Sequence, residues 1–318
     1  PCRWRHWLLW EGMRWPASNS SLRVINIDGI VTLQRTSKVL NIVDHSRDNT
    51  GMTYIYPVVS RRAGGVSVGV NLNPNNACNW RCIYCQVPEL RRGAAPVIDL
   101  VRLETELRTF LQEILHGRFM QTQVPPEARR INDIALSGNG EPTSAKEFEQ
   151  VIELIGQVKR DFDLPKELKL VLITNGSLIG RHNVQAGLRR MAGLNGEVWF
   201  KLDSVTRAGR QRINNTRMSL LRMRENLRLA AFLCPTWLQT CVFQIDGIPP
   251  VEAETSAYLK FVGELLRENV PLQGVLLYGL ARPSMQPEAP RLTKVTQAWM
   301  ESFGAEIRNL GLTVKLNP

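Results

Sequence analysis

From Leu22 to about Val59 the apolar positions come in short β-branched runs: Val24, Ile25, Ile27, Ile30 and Val31, then Val39, Ile42 and Val43. Asp28-Gly29 and Asn49-Thr50-Gly51 supply turn chemistry inside this stretch, and together these features predict a small β appendage of two or three strands over 22–60. Before it, residues 1 to 21 show no period and end in the polar Ser18-Asn19-Ser20-Ser21. They are expected to form a disordered extension, with an aromatic docking segment around Trp4, Trp7, Trp10 and Trp15 as the other reading. Residue 1 is Pro, and Met13 is a candidate start.

Beyond residue 61 the rhythm changes. Short apolar runs suited to buried strands (67–73, 131–137, 168–174, 198–203, 237–246 and 274–280) alternate with longer segments of helical period. In 99–116, Leu103, Leu107, Phe110, Leu111, Ile114 and Leu115 fall on one helical face. A second helix is expected over about 144–160, opened by Ser144-Ala145-Lys146-Glu147 read as a capping box. Others are expected near 178–193, 217–232, 252–268 and 292–310. Six strand–helix units predict an α/β protein: a parallel sheet with helices outside it, as an open, TIM-like partial (β/α)6 barrel with a C-terminal helix over 61–318. Chemistry in such sheets gathers at the carboxyl ends of the strands.

Of the 318 residues 43% are hydrophobic, enough to build a core without covalent staples, and no apolar stretch approaches the ~20 residues that span a bilayer. The cytoplasm is the expected compartment. Forty basic against 29 acidic residues leave a net charge of +11, which favours an anionic partner such as RNA, phosphate or a nucleotide. Arg61, Arg62, Arg81, Arg91 and Arg92 lie around the first barrel strand and the loop after it. The segment 207–228 holds Arg207, Arg210, Arg212, Arg217, Arg222, Arg224 and Arg228 against the single acid Glu225. Such a density suits a phosphate backbone or a solvated helix face, and no aromatic residues are interleaved as stacking platforms.

Six cysteines are too few for a disulfide scaffold, but three fall within eight residues as Cys78-Asn-Trp-Arg-Cys82-Ile-Tyr-Cys85. Thiolates on one short loop suit an iron–sulfur cluster, whereas structural zinc takes four protein ligands, and no His or further Cys lies nearby. Three ligands leave one metal position open. A zinc knuckle is the alternative. Cys234 and Cys241 are expected to pack as small buried hydrophobes.

The C-x3-C-x2-C loop after a first strand, with Tyr84 at the aromatic position, resembles the radical S-adenosylmethionine (SAM) superfamily. Three further segments at strand ends occur in the order the superfamily uses. Ser137-Gly138-Asn139-Gly140-Glu141-Pro142-Thr143 resembles its glycine-glycine-glutamate segment, with Asn139 in place of the first paired glycine. Thr174-Asn175-Gly176 and Lys201-Leu202-Asp203-Ser204 follow. Ser60-Arg61-Arg62, Gly138 to Pro142 and Ala281-Arg282-Pro283 look closest to the branch of wyosine-synthesis-like iron–sulfur oxidoreductases. The resemblance implies that Cys78, Cys82 and Cys85 ligate three irons of a [4Fe–4S] cluster whose fourth iron chelates SAM. It implies reductive cleavage to a 5′-deoxyadenosyl radical that abstracts a substrate hydrogen, and a flavodoxin- or ferredoxin-like reductant. Tyr84, Gly138, Asn139, Gly140, Glu141, Asn175 and Asp203 would line the SAM site: Glu141 would face the ammonium, while Asn175 and Asp203 would reach ribose hydroxyls. The substrate expectation is a tRNA base or another anionic molecule; the competing class is a non-catalytic adaptor for RNA or protein that holds zinc or a cluster.

Overall fold

The computed structural model describes residues 22–27, 30–35, 51–60 and 64–318. The chain divides into two compact units, 1–38 and 39–318. In the first, the strands Leu22–Ile27 and Ile30–Arg35 pair as an antiparallel hairpin with Ile27 opposite Ile30. The expectation of one β appendage over 22–60 needs correction here, because its last strand belongs to the second unit. The run at Val39, Ile42 and Val43, like the tryptophan-rich start, Cys2, Arg61 and Arg62, lies outside the described residues.

The second unit is built on an eight-stranded sheet. Its strands are β1 (Ile55–Ser60), β2 (Gly65–Val70), β3 (Ile131–Leu136), β4 (Lys169–Thr174), β5 (Gly196–Lys201), β6 (Thr236–Cys241), β7 (Leu272–Tyr278) and β8 (Val314–Asn317). They lie side by side in chain order without closing into a ring. β1 runs antiparallel to β2, and every later neighbour pair is parallel. The six expected strands are therefore β2 to β7, and β1 and β8 extend the sheet at its two edges. All six residues of β2 are buried, as suits a strand covered on both faces.

Helices fill the crossovers: α1 (Leu100–His116), α2 (Phe148–Asp161), α3 (His182–Ala192), α4 (Arg207–Asn214), α5 (Leu220–Leu233), α6 (Glu252–Arg267) and α7 (Gln297–Arg308). α1 begins where the Asp99 carboxylate accepts from Arg102 N at 3.0 Å, and it buries Leu103, Leu107, Phe110, Leu111 and Ile114. In α2, Phe148, Val151, Ile152, Ile155 and Val158 form a fully buried stripe.

Two local readings differ from the structure. Ser144 does not cap α2: it ends a 3-10 turn (Pro142–Ser144), where its hydroxyl donates to Glu141 O at 2.6 Å and accepts from Ala95 N at 2.8 Å. The helix starts only at Phe148, because Ser144 is held by the site loop instead. α4 has no counterpart in the apolar pattern. It buries only Gly209, Arg210 and Asn214, so no hydrophobic period marks it.

Candidate functional site

The cysteine loop leaves the carboxyl end of β2. A two-residue strand, Ala77–Cys78, pairs in parallel with Arg91–Arg92 and closes the loop at its base. Within it Cys85 N donates to Cys82 O at 3.0 Å, while Trp80, Ile83, Tyr84 and Val87 are buried and anchor the turn. Cys78, Cys82 and Cys85 are free and half-buried.

Two other segments hold this loop from outside. The end of α4 accepts backbone bonds from Arg81 N (3.3 Å, to Asn214 O) and Ile83 N (2.8 Å, to Ile213 O). The chain after β7 wraps the far side. Ser284 Oγ donates to Ile83 O at 2.7 Å and Cys85 O at 3.2 Å, Gln286 Nε2 donates to Val87 O at 3.0 Å, and Arg282 donates to Gln86 Oε1 at 3.0 Å. Arg81 forms a two-pronged ion pair with Glu288, at 2.6 and 2.8 Å. Of this clamp only Arg282 lies in a segment that the sequence singles out. Ser284, Gln286 and Glu288 sit about 200 residues from their partners, and no local signal marks them.

The Gly-Asn-Gly-Glu loop after β3 is pressed against the base of the cysteine loop. Asn71 Oδ1 accepts from Asn139 N at 3.0 Å, and Asn139 Nδ2 donates to Asn76 Oδ1 at 2.6 Å. Gly138 has a φ of +142°, and a Cβ there would strike the Asn71 side chain. At Gly140 a Cβ would overlap Ala77 O, the carbonyl just before Cys78. Glycine is required at both positions, by backbone conformation at the first and by close approach at both.

Glu141 is 2% exposed. Its Oε1 accepts from Thr143 N (3.1 Å), Thr143 Oγ1 (2.6 Å) and Thr174 Oγ1 (2.6 Å), and its Oε2 accepts from Asn175 N (2.7 Å). Burial pushes its carboxyl up from the ordinary range, and those donors pull the other way. The carboxylate thus ties the β3 and β4 ends together, with a single acceptor direction left on Oε2. Asn175 is equally engaged: Nδ2 donates to Asn79 Oδ1 at 2.8 Å, and Oδ1 accepts from Ser177 N at 3.0 Å.

Inside the barrel end, Lys201 and Asp203 do share a face, as alternation requires. Asp203 Oδ2 accepts from Tyr84 OH at 2.5 Å and Asn214 Nδ2 at 2.7 Å, and Oδ1 accepts from Cys241 N at 3.0 Å. Lys201 Nζ donates to Tyr84 OH at 3.2 Å and lies 5.1 Å from the centre of its ring. Asn214 reaches further and donates to Cys82 Sγ at 3.3 Å. Burial opposes the Lys201 charge, but Tyr278, Asp203, Cys82 and Cys241 outweigh it, and the ammonium is held above its ordinary range. Asp203 does not cap α4; the Thr206 hydroxyl does, accepting from Gly209 N at 2.9 Å. Cys234 and Cys241 are buried, as expected of packing residues.

Burial also pushes the Cys78 and Cys82 thiols up to about 12, with Glu141 adding to the rise at Cys78, while Lys201 pulls Cys82 back. N–H groups already point at two sulfurs, Trp80 N at Cys78 (3.4 Å) and Asn214 Nδ2 at Cys82 (3.3 Å), an arrangement that favours thiolate once metal displaces the protons. Among the described residues no three His, Cys, Asp or Glu side chains converge where they could hold a single metal ion. Three thiols on one short loop are, as a donor set, of the kind that holds an iron–sulfur cluster.

The radical SAM superfamily model matches residues 72–262, more than half of the chain, and the chain belongs to that superfamily. The cofactors that go with membership are a [4Fe–4S] cluster and SAM. Among individual proteins, the UPF0026 protein MJ1312 of Methanocaldococcus jannaschii is 30% identical over 166 residues, 52% of this chain and 44% of that protein. The chain covers about half or less of the length of the curated relatives it matches. A radical SAM methyltransferase from Sphaerobacter thermophilus shares the fold with a TM-score of 0.57 at 13% identity, over 93% of this chain and 76% of that one. TYW1 with a bound lysine-pyruvate adduct does so with a TM-score of 0.51 at 13% identity, over 78% and 74%. Among the described residues no helix is long and apolar enough to cross a membrane.

Proposed function

We propose that the chain is a radical SAM enzyme in which Cys78, Cys82 and Cys85 hold three irons of the [4Fe–4S] cluster. In this reading the loop Gly138-Asn139-Gly140-Glu141, together with Tyr84, Asn175 and Asp203, lines the SAM site. When bound, the cluster and SAM would supply hydrogen-abstracting radical chemistry, with Cys78, Cys82 and Cys85 holding the cluster. The observation that carries the reading is the gathering of the cysteine loop, the Gly-Asn-Gly-Glu loop, Asn175 and Asp203 at the carboxyl ends of four consecutive parallel strands.

The chain's own residues perform the supporting work. Gly140 lets the loop after β3 pack against Ala77 O at the base of the cysteine loop, and Gly138 lets it pack against Asn71. Glu141 offers its remaining acceptor direction to an ammonium. Lys201 supplies a buried cation for a carboxylate, and the Asp203–Tyr84 pair keeps that cation in place. The clamp of Ser284, Gln286 and Glu288 holds the cysteine loop in place.

The substrate is an anionic molecule, a tRNA base in the finer reading. That assignment rests on the net charge of +11 and on the similarity of Gly138 to Pro142 and Ala281-Arg282-Pro283 to the wyosine-like branch. A flavodoxin- or ferredoxin-like protein delivers the electron. Anaerobically reconstituted protein given dithionite and SAM is expected to release 5′-deoxyadenosine, and Cys82→Ala to release none. Iron-loaded wild type that never cleaves SAM refutes the assignment.

A further inference from the structure

We propose that a cavity of about 450 Å³ beside the cysteine loop is an anion site for a phosphate group of the substrate, seated by Arg92, Arg217 and Arg222. The site rests on the radical SAM reading only for its purpose; its chemistry stands on the residues themselves. The three guanidinium groups share the cavity wall with Asn79, Ser177 and Thr216, and no carboxylate lines it.

What distinguishes these arginines is that their charge is left uncancelled. Arg92 donates to two carbonyls, Asn79 O at 2.6 Å and Asn215 O, which fixes the side chain without neutralising it. Arg222 has its nearest carboxylate, Glu225, at 3.8 Å, with both side chains more than half exposed, so screening removes most of that attraction. Among the described residues Arg217 is in no ion pair, and it is exposed. The same basic segment treats other members differently. Arg224 is paired with Glu264 at 3.1 Å and with Glu268, and Arg210 is buried against Met218 O and Val205 O. The cations of 207–228 are therefore sorted by the fold: Arg210 and Arg224 are engaged internally, whereas Arg217 and Arg222 meet Arg92 around one hollow.

The remaining groups suit an oxyanion. Ser177 Oγ already accepts from Asn79 Nδ2 at 2.7 Å, which leaves its own proton to donate. α5 starts at Leu220 beside the cavity, and the N-terminal end of its dipole adds positive potential there. Three arginines and a hydroxyl match the several oxygens of a phosphate group better than a carboxylate. The volume exceeds that of a lone phosphate, so a phosphate ester is the class of ligand. Asn79 both lines the cavity and directly follows Cys78, which sets the ester beside the cluster loop.

The test uses cluster-loaded, full-length protein under anaerobic conditions. Three probes are titrated by calorimetry: inorganic phosphate, a nucleoside monophosphate and a tRNA. At least one is expected to bind, and the double variant Arg217→Gln/Arg222→Gln is expected to weaken it more than tenfold. If the monophosphate binds as well as tRNA, the ester is a free nucleotide; if tRNA alone binds, it is an RNA phosphodiester, and the slope of log affinity against log salt falls by about two in the variant. Melting temperature and SAM affinity are recorded for the same samples. Binding of none of the probes, an unchanged affinity in a folded variant, or displacement of the probe by SAM overturns the proposal. These are binding readouts that need no SAM cleavage, so they can fail while the radical assignment holds, and the reverse.

Discussion

Glu141 is the residue on which the two inner loops depend. Four donors converge on its carboxylate from three residues, and each becomes a buried group without a partner if the side chain is removed. An unsatisfied buried donor costs about 1–3 kcal/mol. Glu141→Ala is accordingly expected to lower unfolding free energy by at least about 3 kcal/mol, allowing for partial relaxation. Glu141→Gln, which keeps one acceptor oxygen, should fall between the variant and wild type. Urea titration of the three proteins checks the order, and an alanine variant as stable as wild type would show that Glu141 does not bridge the loops. At the same scale, Tyr84 does more than occupy the aromatic position of the cysteine motif. Its hydroxyl lies between Asp203 and Lys201 and joins the cysteine loop to the end of β5.

At the scale of elements, β2 and β3 share a buried polar contact that their apolar pattern does not announce. Ser67 Oγ donates to Asp133 Oδ1, and Asn132 Nδ2 donates to Oδ2 at 2.7 Å. Burial raises the Asp133 carboxyl above its ordinary range despite these donors. A raised folded-state value means that this group's contribution is fully present below the unfolded value and is lost as pH rises through the folded one. Asp133→Asn cannot ionise. The melting temperature of the variant relative to wild type is therefore expected to be more favourable at pH 7.5 than at pH 4.5. A difference that stays constant between the two, or that moves the other way, would refute the assignment. The elements were largely legible in the sequence: all six barrel strands begin within two residues of the expected start, because runs such as Leu170–Leu172 must be buried on two sides. The expected strand 237–246 is shorter, ending at Cys241, and Gln244–Ile245 pairs instead with Leu292–Thr293 in a separate antiparallel ladder.

For the molecule as a whole, every strand of the large sheet lies at or beyond Ile55, whereas the hairpin belongs to the unit 1–38. Removing residues 1–38 takes away no strand, crossover helix or site residue of the sheet. The shortened chain is expected to unfold in one cooperative transition and to take up as much iron as the full chain on anaerobic reconstitution. Iron content below half of the full-length value would show that the hairpin supports the site. The net charge of +11 also reads differently once folded. Arg81, Arg108, Arg190, Arg224 and Arg291 are paired with carboxylates, whereas Arg92, Arg217 and Arg222 meet around one cavity that no carboxylate lines.

The order of strands and helices, the three cysteines and the glycine-bearing loop were determined by the linear chain, because each depends on spacing between near neighbours: a period of two or 3.6, or thiols three and four positions apart. Tertiary structure alone decided how the side chains of these motifs are used. Glu141 and Asp203 accept hydrogen bonds from residues that the sheet brings beside them, Asn175 donates one to Asn79, and Ser284 and Glu288 reach the cysteine loop across about 200 residues. Such pairings arise from the crossing of distant loops at one end of a parallel sheet, and no periodicity along the chain encodes them.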